Sequence, residues 1–208
     1  MEEEIHEDRH PAPGLPEKFN FDQDDPFYLA PPTCKLIHYR HAAIVAGVLE
    51  VFFLVLAVYS FTTLNRISGV VGFWPIFTIG FVLIIATITT GIMIYGILIG
   101  RPHYLWPQMA FLTVEIVMTL IGATIAIISM SFGLEFTYNI FSPLVNVHLM
   151  EKHFGPIWPF NIAIVSFSTS ALGIWFHVIV QGCYEYMLDK EYFMGRDSRN
   201  IEMKKNKN

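Results

Sequence analysis

Four long apolar runs, 41–64, 73–99, 106–130 and 157–180, decide what this chain can fold into. Each has at least 24 residues. A helix needs about 20 residues to cross a hydrocarbon core of about 30 Å. A backbone facing lipid must satisfy its own hydrogen bonds, which leaves helices or a closed barrel. Barrel strands alternate apolar and polar residues over about ten positions, and these runs do not. The sequence therefore predicts an all-α, polytopic membrane protein with four transmembrane helices in a bundle. The run 73–99 is long enough to need tilt or an interfacial end. Composition agrees. The chain is 53% hydrophobic and 15% charged, against about 25% charged in an ordinary soluble domain, and its mean hydropathy is +0.47.

The membrane body, 34–188, lies between two polar segments. Residues 1–33 are acidic and proline-rich and read as a disordered tail. Phe19, Phe21, Phe27 and Tyr28 interrupt this tail, so it has room for a short docking motif. Residues 189–208 form a basic tail. The net charge of −5 is set by the first 32 residues, which carry nine acids and two bases. The rest is slightly basic, a pattern that does not point to nucleic acid. The start, MEEEIHEDRH, lacks both a basic stretch and an apolar core, so the first run is expected to act as its own insertion signal. Lys35, Arg40, Arg101, Lys190, Arg196 and Arg199 flank the runs on one side, and Arg66 and Lys152 on the other. The excess of six over two predicts cytosolic termini, with short loop 65–72 and longer loop 131–156 on the far side.

The stretch 95–115, YGILIGRPHYLWPQMAFLTVE, organises the body. Arg101 and Pro102 stop the second helix. Trp106 and Pro107 open the third, Pro107 suiting a first-turn position that needs no amide partner. Glu115 then stands among apolar residues. A carboxylate there must be paired, protonated or facing a cavity. Glu50 is a second such acid. Counted from Arg40 and Trp106, Glu50 and Glu115 fall about 15 and 14 Å into their helices, which predicts matched depth. His177, on the fourth helix, joins them as a candidate, with Gln181 one turn further out. Two acids, one histidine and no Lys or Arg inside a span suggest a proton- or cation-binding cluster. A protonated acid acting as interhelical glue fits equally well. Either way, at least one of the two acids is expected to be protonated at neutral pH.

Other features carry weaker signals. Small-residue pairs at helical spacing, Ala43–Gly47, Gly96–Gly100, Gly122–Ala126 and Ser166–Ser170, allow close helix contacts. His148, Glu151 and His153 in the longer loop read first as solvated loop residues, with a metal site or a pH sensor as the other reading. Cys34 and Cys183 are juxtamembrane, suited to palmitoylation or to burial as plain thiols. Tyr184-Glu185-Tyr186-Met187 has the shape of a tyrosine sorting signal. Trp74, Tyr104, Trp106 and Trp158 read as interfacial anchors. No nucleotide loop, Ser-His-Asp set or two-metal site occurs, so neither an enzyme nor a cofactor is expected.

Several of these positions together resemble the lysosome-associated four-transmembrane family. Cys34, His38-Tyr39-Arg40 with Ile44 and Gly47, Tyr95-Gly96, Pro107 with an acid eight residues on, and Cys183-Tyr184-Glu185-Tyr186 match that family's order and spacing. Glu115 stands where the family is expected to have Asp, and Glu185 where it has a basic residue. The resemblance implies four spans, cytosolic termini and residence in late endosomes and lysosomes, with the plasma membrane as the other candidate compartment. It also implies an accessory role in sorting or transport. The family's Pro-Pro-x-Tyr motifs are absent, so ligase recruitment through WW domains is not expected. Tetraspanins and claudins fit less well, because no cysteine falls in the far-side loops.

The expected function is thus an accessory membrane protein that binds the lipid bilayer and other membrane proteins, with a homo-oligomer open to it. A small oligomeric proton- or cation-coupled transporter using Glu50 and Glu115 is the alternative. A structural four-span scaffold is a third reading.

Overall fold

The computed structural model describes residues 28–33 and 36–205. Six α-helices carry the fold: α1 Tyr39–Ser68, α2 Phe73–Ile99, α3 Trp106–Phe132, α4 Leu134–Phe141, α5 Val147–Phe154 and α6 Trp158–Lys205. Four of them, α1, α2, α6 and α3 with the turn before it, are long and apolar enough to cross a membrane.

Local chemistry sets the helix ends. His38 caps α1, its Nδ1 accepting from the Arg40 amide at 3.2 Å. Gly69 ends α1 and Gly100 ends α2, at φ 62° and 77°. Residues with a Cβ rarely adopt that left-handed region. Pro102–Leu105 is a short 3-10 helix leading into α3.

The long helices form a ring. α1 packs on α2 and α6, and α3 packs on α2 and α6, the α3–α6 contact being the most extensive. Short connections make sequential neighbours antiparallel, so the start of α1 lies beside the latter part of α6. There Tyr39 covers Gly182 so closely that a Cβ could not fit. The core at this end gathers Ala42, Ala43 and Ala46 of α1, Met93 and Ile97 of α2, Leu105 and Leu112, and Phe176, Ile179, Val180 and Cys183 of α6. The four small-residue pairs divide. Gly47, Ala126 and Ser170 face neighbours, whereas Gly122 is half-buried and a Cβ added there would meet open space.

The opposite end is capped, which differs from the open loop expected over 131–156. α4 and α5 fold across it. The turn after α1 is tied to the α4–α5 connection, with the Asn146 amide donating to Val70 O at 2.8 Å and the Gly72 amide donating to Leu144 O at 3.0 Å. A second core of Val70, Ala126, Phe141, Val147, Met150, Trp158 and Ala163 lies under this cap.

Residues 28–33 and 36–38 make a strap, part of it inside the segment expected as tail. Tyr28 packs edge-on to Tyr186 at 4.9 Å. Pro32 O then accepts from Trp175 Nε1 at 3.2 Å, and His38 returns to Tyr186 at 4.6 Å. Trp175 and Tyr186 are about 16 Å apart along α6, so the strap dips about three turns down α6 and comes back. Backbone inside a bilayer must be satisfied locally. The strap does this with Ala30 N–H to Ile37 O at 3.0 Å, Thr33 N–H to Ala30 O at 3.0 Å and Leu36 N–H to Thr33 O at 3.1 Å.

Candidate functional site: a polar node inside the bundle

Glu50 sits on the inner face of α1 and is 3% exposed. Gln108 Nε2 donates to Glu50 Oε2 at 2.5 Å. Thr90 Oγ1 donates to Gln108 Oε1 at 3.4 Å. One hydrogen-bonded chain therefore joins α1, α3 and α2. Gly47, one turn before Glu50, lets the helices close on it. A Cβ there would lie 2.7 Å from Met93 Cε and 2.9 Å from Thr90 Cγ2. The node is thus packed by its neighbours. Glu50 Oε1 is buried without a hydrogen-bond partner.

Glu115 is half-buried and near enough for its charge to act on Glu50. The Glu50 carboxyl is held at Gln108, and Glu115 leaves α3 two turns beyond Gln108, about 10 Å along the axis. A 3-10 turn leads into α3. It continues inward, with Pro102 and Leu105 buried and Tyr104 pressed on Gly96 of α2. Beyond Glu115, Thr119 and Ser170 hydroxyls meet at 2.7 Å across the α3–α6 contact.

His177 is half-buried on α6 and makes no hydrogen bond to either acid. Gln181 Nε2 donates instead to Glu185 Oε1, one turn along the same helix, at 3.0 Å. The cluster joins Glu50 to Gln108 and Thr90, not to His177. Sequence reasoning missed both partners. The one signal for Gln108 was its place seven residues before Glu115, on the same helix face. Thr90 carried none, since hydroxyls in apolar helices usually bond back to their own backbone.

Cys183 is fully buried in the terminal-end core, which closes it to the acylation expected for a juxtamembrane thiol. Cys34 lies outside the described residues. Tyr186 and Met187 are also buried within α6, and Tyr184 Oη accepts from Trp106 Nε1 at 3.3 Å. Residues 184–187 are therefore helix wall and not an extended sorting signal. His148, Glu151 and His153 ride on α5, where His148 packs on Tyr138 at 4.9 Å. No group of three metal-binding side chains converges among the described residues. Trp158, expected as an interfacial anchor, is buried under Phe141 at 5.1 Å.

Fold and node together define a four-span, all-α integral membrane protein whose buried acid is bonded to side chains of two other helices. The chain is 35% identical over 190 residues to Protein cuti-1 of Caenorhabditis elegans, covering 91% of this chain and 93% of that protein. It belongs to the family of that protein. No family model matches it, and no solved structure does.

Proposed function

We propose that this protein is a non-enzymatic accessory protein of endosomal or lysosomal membranes, which binds other membrane proteins within the bilayer and affects their sorting or transport. The observation that carries this reading is the closed node. Glu50 is bonded to Gln108 and packed around Gly47, so it serves to hold three helices together. With the inside of the bundle engaged in this way, recognition falls to the outer faces. α2 exposes Phe73, Trp74, Phe77, Phe81, Ile84 and Ile88. The compartment rests on the resemblance to lysosome-associated four-transmembrane proteins. Affinity capture of the tagged full-length chain from isolated lysosomes, with identification of co-purifying membrane proteins, tests both parts. Absence from late endosomes and lysosomes removes the compartment. Recovery of the chain without any membrane protein removes the accessory role.

A second reading is favoured by one observation, the unpartnered Glu50 Oε1 with Glu115 within electrostatic reach. An oligomer using both acids would couple proton or cation movement to transport. Purified protein in liposomes, scored for proton flux against Glu50→Gln, decides it. Flux lost in the variant supports transport; equal and minimal leak in both retires it.

A further inference from the structure

Between the polar node and the cap, the α1–α2 hairpin parts from α3 and α6. The latter two stay packed there, with Ala123, Ala126, Ser129, Ala163 and Ser170 buried. By contrast, α1 buries no residue after Glu50, and α2 buries none before Ala86. The hairpin rejoins the rest at its tip, where Val70 is buried in the core under the cap. The face of α3 that carries Gln108 toward α1 and α2 looks into this gap. Glu115 and Gly122 follow Gln108 on that face, at successive intervals of seven residues. Gly122 marks the free space, because a Cβ there would meet nothing within 4 Å.

The gap offers acceptors and no free donor. Glu115 is half-buried and has no side-chain partner among the described residues. Glu50 Oε1 is buried and bare, within reach of the Glu115 charge. The Thr119 and Ser170 hydroxyls are taken by each other and by their own backbone. Two carboxyls in this state are matched by a cation at the same depth. Glu115 lies about 14 Å along α3 from Trp106. Lipid ammonium groups stay near the interface, whereas a helix carries a charge to this depth because its backbone is bonded internally. No Lys or Arg occurs in the four apolar runs, so a second copy of this chain has none to offer. A lysine on its flexible stem enters a gap between helices where a planar guanidinium fork would not. We infer that the gap takes a lysine from the transmembrane helix of a different protein, its ammonium paired with Glu115 and Glu50 Oε1 as the second acceptor. Such a lysine is costly to its own helix until it is paired. This deepens the accessory reading and rests on it, since it names what a bound membrane protein must carry.

The test uses the full-length chain, with a donor fluorophore at its C-terminus, in phosphatidylcholine liposomes. The probe is a model transmembrane peptide of leucine and alanine with one central lysine, carrying the acceptor. It should give saturable energy transfer that the unlabelled peptide displaces. The same peptide with leucine at that place should give only the proximity background. Glu115→Gln, which keeps size and removes the charge, should weaken binding about tenfold or more. Gly122→Leu fills the gap and should weaken it similarly, with thermal unfolding close to the parent because the added carbons meet open space. Equal binding of the lysine and leucine peptides, or unchanged affinity in both variants, overturns the inference. So does displacement of the lysine peptide by octadecylamine at the same mole fraction, which would make a lipid amine the occupant. A lysine peptide that fails to bind, with membrane proteins still captured from lysosomes, removes this site and keeps the accessory role. That role falls on the capture experiment alone.

Discussion

At the scale of residues, stability is concentrated where a side chain is both buried and bonded. Gln108→Ala removes the donor to Glu50 and leaves a buried carboxyl oxygen unmatched, which costs about 1–3 kcal/mol. Glu50→Gln keeps the size and can still bond Gln108 through a flipped amide, so it should cost less than Gln108→Ala. Thermal unfolding in detergent ranks the two; the reverse order would show that the node does not hold the helices. Glu115 is half-buried and has no side-chain partner among the described residues, so Glu115→Gln should be close to neutral in the same assay. The glycines give a second comparison. Gly47→Val forces carbon into Met93 and Thr90 and should destabilise by about 1–3 kcal/mol or more, as overpacking does. Gly122→Val meets open space and should unfold within a degree or two of the parent. Equal losses at the two sites would contradict the packing described.

At the scale of elements, the strap and the cap are the additions to a plain four-helix ring. The strap is held to α6 by the bond from Trp175 to Pro32 O, by the Tyr28 hydroxyl donating to Asp189 Oδ2 at 3.5 Å and by the ring contacts of Tyr28 and His38 with Tyr186, besides its own backbone turns. Trp175→Phe keeps the ring and loses the bond, a change of about 1 kcal/mol. Local opening should then rise about fivefold, read as faster hydrogen exchange at Ala30 and Leu36 with α3 unchanged. Exchange as slow as in the parent would mean that the Tyr28 and His38 contacts with α6 and the burial of Ala30 hold the strap without that bond. The lesson for reading sequences is physical. Residues 28–33 carry tail-like composition, with Pro31 and Pro32 among them, yet Pro32 is accepted because a turn at that point needs no amide from it. Likewise 131–156 reads as a loop because α4 and α5 are eight residues each. Helices that short are not stable alone, and only packing on the Trp158 core gives them their form.

At the scale of the whole molecule, the distribution of Lys and Arg predicts cytosolic termini. The cap would then face the lumen or the cell exterior. A glycosylation acceptor placed after Pro143 should be modified, and one placed in the N-terminal tail or near Asn208 should not. Modification of either tail would invert the arrangement and turn the cap toward the cytosol. Hydropathy alone determined the class: four apolar runs with no alternation can only be spanning helices, since lipid offers the backbone no partners. Helix ends were legible as well, because Gly100 and the Arg101–Pro102 break are local signals. What the sequence could not decide was partnership across helices. Glu50 and Glu115 are conspicuous in the chain, but which groups face them depends on rotation and stagger about each axis. Gln108 became the partner of Glu50, and His177 did not, because depth and facing are set jointly by all the helices of the ring and by no one of them.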